Sequence, residues 1–218
     1  MKQGRWIASL LLFIIGWVAA CSGGGSADIA NDPDVLYQDN FAVGSTGPWE
    51  VEGDASGRTA VLDEQLTIEI DAPSTLQFVT LPEPIFSDFI LSVDARQIAG
   101  DGQGSYGILF RMQDTTQFYR FEVTGSGLYV VERRNADGSW TRFVSDWAET
   151  PAINQGVGAV NQLRIEAVGT TMRFYVNDTL VQQVSDNLYL SGTIALDAGT
   201  FGQPGLQVAF DNLVVKRP

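Results

Sequence analysis

Residues 106–134, YGILFRMQDTTQFYRFEVTGSGLYVVERR, restrict the fold more than any other stretch of the chain. Apolar and polar residues alternate there with period two, the spacing that sends successive side chains to opposite faces of a strand. The run reads as three strands joined by two tight turns. One face carries Ile108, Phe110, Met112, Tyr119, Phe121, Val123, Leu128 and Val130. The other carries Leu109, Arg111, Arg120, Glu122, Tyr129 and Arg133. The first set can close a core. The second forms a face that is either solvated or open to a ligand.

The remaining chain continues in the same manner. Residues 66–70 alternate, with Leu66, Ile68 and Ile70 on one side, and residues 89–98 place Phe89, Leu91, Val93 and Ala95 together. Pro82 and Pro84 are expected to stop pairing after residues 76–81. A turn at Gly169 and Thr170 pairs Leu163 with Val176, Ile165 with Phe174, Ala167 with Met172, Glu166 with Arg173 and Arg164 with Tyr175. A two-residue turn at Gly125 and Ser126 pairs Val123 with Leu128 and Phe121 with Val130, and sets Glu122 opposite Tyr129. Asn177 and Asp178 mark a further turn. The 23 glycines suit a turn-rich chain. No convincing helical period occurs, so about a dozen to fifteen mostly antiparallel strands predict a two-sheet sandwich.

The first 20 residues differ in kind. Lys2 and Arg5 precede an apolar run over residues 6–18, shorter than the ~20 residues of a membrane span. Val18, Ala19, Ala20 and Cys21 follow, then a Gly/Ser stretch. This segment resembles a bacterial lipoprotein lipobox. The resemblance implies a signal peptide over residues 1–20, lipidation at Cys21 (with palmitate among the acyl groups), a tether over 21–34 and one domain over 35–218. It also implies an extracytoplasmic address at the envelope, on the outer membrane or cell surface, with the lipid anchor as the membrane contact.

Removal of Lys2 and Arg5 leaves 11 basic against 26 acidic residues, a formal charge of −15. Such a surface repels phosphate backbones, and nucleic acid is excluded as a partner. Cys21 is the only cysteine and there is no histidine. Disulfides within the domain, Ser-His-Asp catalysis and His-containing zinc sites are therefore ruled out. Oligomeric state has no signal in the sequence.

The pieces Asp39-Asn40-Phe41, Trp49, residues 89–96 (FILSVDAR), 106–111 (YGILFR), Tyr119-x-Phe121-x-Val123, Asn161-x-Leu163-x-Ile165, 174–177 (FYVN) and 208–212 (VAFDN) come in a characteristic order. In that order they resemble the concanavalin A-like lectin/glucanase jelly roll, in particular its laminin-G-like and 3-keto-disaccharide hydrolase-like members. The resemblance implies an all-β, two-sheet antiparallel jelly-roll sandwich whose concave face often meets glycans. It also suggests a structural calcium near the joined chain ends, for which Asp39 and Asp211 are the candidate ligands.

Family-16 glycoside hydrolases of this fold carry Glu-x-Asp-x-x-Glu on one strand, which lines three carboxylates along one face. Here Glu69 and Asp71 match, but Ser74 stands in the third place and Pro73 interrupts the strand. Asp94, Glu122, Glu166 and Asp197 are the other acidic residues able to converge, each with an arginine near enough to pair. Arg111 is the first choice for ligand contact, with Arg96, Arg120 and Glu122 beside it. Tyr129, Trp140 and Tyr175 are candidate platforms for the apolar face of a sugar ring. Trp147 is expected to cap the core beside Ile153. The resulting expectation is a lipid-anchored, lectin-like module that binds glycan or polysaccharide and is not an enzyme. A structural or protein-adhesion module is one alternative, and a glycoside hydrolase acting on a glycan or keto-sugar glycoside is the other.

Overall fold

The computed structural model describes residues 32–42, 46–51 and 56–218. The signal peptide, Cys21 and most of the tether lie outside these residues. In chain order the strands are β1 (Val35–Asp39), β2 (Glu50–Val51), β3 (Gly57–Leu62), β4 (Gln65–Ile70), β5 (Leu76–Phe86), β6 (Phe89–Ala99), β7 (Ser105–Asp114) and β8 (Gln117–Thr124). They continue as β9 (Leu128–Arg134), β10 (Trp140–Arg142), β11 (Ala148–Glu149), β12 (Val160–Val168), β13 (Thr171–Val176), β14 (Thr179–Ser185), β15 (Gly192–Gly199) and β16 (Leu206–Lys216).

They form two antiparallel sheets. The first runs β14-β13-β12-β6-β16-β4-β3, with β1 beside β16. The second runs β10-β9-β8-β7-β15-β5-β2, with β11 beside β9. The architecture is a two-sheet jelly-roll sandwich. Its interior is filled by the alternate residues of both sheets, as facing sheets require. Phe110 stacks on Tyr119 at 5.3 Å, and Phe174 reaches across from the first sheet to Phe110 (5.9 Å) and Phe121 (5.2 Å). All four rings are fully buried.

The β12–β13 register is the predicted one at all five pairs. Asn177 and Asp178 both take positive φ in the two-residue turn to β14, as a type I′ hairpin demands. The β8–β9 hairpin differs. Its loop has three residues, Gly125 to Gly127, closed by the Gly127 amide on the Thr124 carbonyl (3.2 Å) with Gly127 at φ +97°. The extra residue slides β9 by one position. Val123 therefore meets Tyr129, Glu122 meets Val130 and Phe121 meets Val131. Tyr129 and Arg133 turn inward, while Leu128 and Val130 turn outward.

β7 carries a second departure. Its register with β15 shifts by one residue between Phe110 and Met112, where Arg111 adopts φ +48°. This is a β-bulge. It sends Met112 to the outside beside Leu109 and Phe118, and directs Arg111 into the interior. β5 also runs on through Pro82 and Pro84 rather than ending at Leu81. The two prolines fall in the unpaired stretch between Leu81 and Phe86, so no ladder hydrogen bond is lost.

Both ends of the described domain meet at one end of the sandwich. Val35 pairs with Lys216, which also borders Ile90 at the start of β6, and the Lys216 ammonium pairs with Asp32 at 3.0 Å. The 100–104 and 200–205 loops lie at the other end, after Ala99 of β6 and before Leu206 of β16.

Candidate functional site

The outer face of the second sheet collects polar residues in cross-strand rows. One row contains Asp197 of β15, Gly107 of β7 and Glu122 of β8. Gly107 has no side chain to separate its neighbours, and a Cβ there would strike the Phe121 carbonyl and come within 2.7 Å of the Glu122 Cα. The two carboxyls thus converge over an empty position. The next row contains Arg120, Glu132 and Arg142, directly paired across β8, β9 and β10.

Charge and burial set the chemistry of this cluster. Arg120 forms an ion pair with Glu132, and its Nε lies 3.3 Å from Glu122 Oε2. Arg142 approaches Glu132 at 3.7 Å. The Ser105 hydroxyl donates to Glu122 Oε1 at 3.2 Å. Glu122 and Asp197 are fully buried, and neither Asp197 oxygen has a donor from any other described residue. Two carboxyls that face each other away from water can share a hydrogen only if one is protonated. Burial, and then the neighbouring Glu122, hold the Asp197 carboxyl well above the usual carboxylate range. Asp197 is accordingly the member of the pair whose protonated form the fold favours. Glu122 Oε2 and Arg120 Nε face each other as an ion pair that falls outside hydrogen-bond geometry. The cluster therefore retains unused polar capacity, which in a folded protein calls for an explanation.

The cluster reaches solvent at a groove. A hollow of about 320 Å³ is lined by Ser105, Arg120, Leu76, Thr75, Thr200 and Phe201. A second hollow of about 530 Å³ shares Phe201 with the first and is lined by Thr124, Leu128, Trp147, Asp146, Gln103 and Gln203. Trp147 meets Phe201 edge to face, with ring centres 5.7 Å apart and planes at 83°. Trp147 thus lines the groove and does not cap the core as expected. Ser74 Oγ donates to the Phe201 carbonyl at 2.5 Å, and the Thr200 hydroxyl donates to the Ala72 carbonyl at 2.7 Å, which fixes the loop.

The predicted site residues divide among three places. Arg120, Glu122 and Trp140 share the outer face of the second sheet, where Trp140 lies under the guanidinium groups of Arg120 (4.5 Å) and Arg134 (5.0 Å). Arg96 and Tyr175 lie on the outer face of the first sheet. There Arg96 donates to Gln65, and Tyr175 donates to Glu166 beneath the Arg164 guanidinium. Arg111 and Tyr129 are interior, which corrects their assignment to a ligand-facing surface. Arg111 is fully buried, donating to the carbonyls of Ser87 (3.0 Å) and Tyr189 (3.3 Å), and Tyr129 donates to the Val181 carbonyl (3.0 Å). Of the four acidic residues able to converge, Glu122 and Asp197 do so, whereas Asp94 and Glu166 stand on the opposite sheet. Glu69 pairs with Arg58 on the adjacent strand β3.

Asp39 and Asp211 do not fit calcium. Asp39 accepts from the Phe41 amide (2.7 Å), the Trp49 indole (2.9 Å) and the Tyr37 hydroxyl (3.1 Å), whereas Asp211 accepts from the Asn212 amide (2.7 Å) and lines a separate hollow with Asp94 and Arg96. Among the described residues no group of three or more His, Cys, Asp or Glu is placed to hold a metal ion.

Ser105, Gly107 and Glu132 were not anticipated. Had the Gly125–Gly127 loop been counted as three residues, Glu132 would have fallen directly opposite Arg120.

Residues 42–216 match the 3-keto-alpha-glucoside-1,2-lyase-like domain over most of the chain. The chain belongs to this family. Because the family is described by an enzymatic activity, the expectation that the chain is not an enzyme is overturned. No curated relative matches the chain. Among solved structures, the carbohydrate-binding module CBM66 from Bacillus subtilis is 21% identical, with a TM-score of 0.63, covering 78% of this chain and 95% of that one. The LamAcat structure from Zobellia galactanivorans is 12% identical, with a TM-score of 0.62, covering 85% and 98%. A β-glucanase from Bacillus licheniformis is 9% identical, with a TM-score of 0.61, covering 86% and 100%. At such identities the shared feature is the fold. This lyase-like domain is a jelly-roll module of the kind found in both glycosidases and carbohydrate-binding modules.

Proposed function

We propose that the chain is an enzyme that cleaves a keto-sugar glycoside at the Glu122–Asp197–Arg120 cluster. The observation that carries the reading is the pair of buried carboxyls converging over Gly107 beside an arginine that borders a groove. The family's described activity supplies the reaction class.

The chemistry follows from the substrate. A ketone at C3 of a sugar acidifies the hydrogen on C2. In a 1,2-elimination a base takes that hydrogen, its electron pair forms the C1–C2 double bond, and the C1–O bond breaks. The departing oxygen then takes a proton. Glu122 is assigned as the base, and the protonated Asp197 as the donor to the departing oxygen. Arg120 holds the carbonyl oxygen as negative charge builds there. Arg120 is the member of the cluster that lines the groove, where the carbonyl oxygen would meet it.

The test is turnover of 3-keto-glycosides and their unoxidised counterparts by the full chain and by Glu122→Gln and Asp197→Asn variants. The expected result is cleavage of the keto-glycosides only, reduced about 100-fold or more by either change, as for loss of a general acid or base. The assignment fails if the wild type cleaves neither class, or if both variants retain full turnover.

The lipobox supports an envelope location with Cys21 as the lipidated residue. Cys21→Ser should release the protein from the membrane fraction; retention there would exclude a lipid anchor at Cys21.

A further inference from the structure

The hollow beside Trp147 lies outside the carboxyl cluster. We infer that it is a second sugar subsite, so that the ligand is a neutral oligosaccharide extending past Phe201. This rests on the proposed activity at the neighbouring cluster for its context, but on separate residues for its own case.

The lining of the hollow supports it. Trp147 and Phe201 stand at 83° to each other, giving an apolar floor and wall. Phe201 is 48% exposed on a loop pinned at its base, a placement that core packing does not explain. Aromatic faces of this kind suit the C–H face of a pyranose. The rim is polar and uncharged or acidic, with Gln103 and Gln203 able to donate and accept, and Asp101 and Asp146 able to accept. Among the described residues no Arg or Lys lines the hollow, so uronic-acid and sulfated glycans are disfavoured there. Its volume of about 530 Å³ is that of a ligand site, and Phe201 also borders the hollow that contains Arg120 and Ser105. A chain bound at the cluster would therefore run directly onto Trp147.

The experiment is calorimetric titration of the full chain with maltose and longer maltodextrins, laminarin-derived oligosaccharides, and polygalacturonate fragments as the anionic control. Affinity is expected to rise with length for at least one neutral series and to be weaker for the anionic one. Trp147→Ala and Phe201→Ala are each expected to weaken binding of the longer oligosaccharides about three- to tenfold, with Trp147→Phe retaining most of it. Both side chains lie at the groove, and unchanged unfolding temperatures would verify that the variants are folded. The inference is overturned if affinity is independent of length, if both alanine variants bind as the wild type does, or if the anionic fragments bind equally well. Length-dependent, Trp147-dependent binding without any turnover of 3-keto-glycosides would leave the subsite standing and remove the proposed activity. Turnover without a length effect would do the reverse.

Discussion

Glu122 and Asp197 lie on strands separated by β7, yet their carboxyls meet because the residue between them is Gly107. A methyl group at position 107 would collide with the backbone of β8. Gly107→Ala should therefore destabilise the fold by about 1–3 kcal/mol through strand displacement, and turnover should fall further than stability alone explains. Thermal unfolding and activity of this variant at a temperature where it remains folded would check both. An unfolding temperature equal to that of the wild type would show that β7 and β8 are not packed as described.

The Asp197 carboxyl also predicts a pH dependence. Its folded-state value lies above its unfolded value of 3.8. A group raised on folding contributes stability that is fully present below the unfolded value and is lost as pH rises through the folded value. Wild type should therefore lose stability relative to Asp197→Asn as pH increases from about 4 upward, because asparagine resembles the protonated acid at every pH. Urea unfolding of both proteins across this range would give the difference curve. A flat difference, or one of opposite slope, would mean that Asp197 is ionised in the fold.

Arg111 and Arg120 should behave in opposite ways. Arg111 is fully buried and satisfies two carbonyls near the β5–β6 turn and before β15. Arg111→Ala is expected to cost about 2–5 kcal/mol, since it leaves those acceptors unpaired inside the protein. Arg120→Ala should cost less stability and abolish turnover of keto-glycosides. Denaturant midpoints together with steady-state rates separate the two, and an exchange of these phenotypes would contradict the interior placement of Arg111.

Asn161 offers a further check on the scaffold. Its side chain is fully buried, accepts from the Asn154 amide (2.7 Å) and from Asn177 Nδ2 (2.9 Å), and donates to the Asn154 carbonyl (3.0 Å). Asn161→Ala strips partners from all three and should cost about 2–3 kcal/mol. A denaturation midpoint within error of wild type would show that water replaces the lost bonds.

The sandwich was legible in the sequence because alternation specifies a half-buried strand, and in the β12–β13 hairpin Leu163, Ile165 and Ala167 each met an apolar partner and Glu166 met Arg173. The β8–β9 hairpin was misread by one position because Gly125, Ser126 and Gly127 permit a two- or a three-residue loop, and the flanking residues are apolar on both faces. That single position exchanged Tyr129 for Val130 and concealed the pairing of Arg120 with Glu132. Arg111 was misplaced for a different reason. A bulge leaves the local alternation intact while reversing the direction of the side chain, and the pairing partner that reveals it, β15, is about eighty residues away. The convergence of Glu122 with Asp197 depends on the same distant pairing, so composition could name both residues without joining them. Trp147 was expected to cap the core beside Ile153, and only the position of Phe201 on its pinned loop shows what it faces.

The pairing of Val35 with Lys216 brings both ends of the described domain to the Ile90 end of β6, while the groove loops follow from Ala99 at its other end. Nine residue steps along a strand separate these ends by about 30 Å. A support, fusion partner or tether joined at either terminus would hold the domain with its groove pointing away from the attachment. A glycan chain too large to diffuse could then be approached from the side that faces the surroundings, without the domain having to turn over.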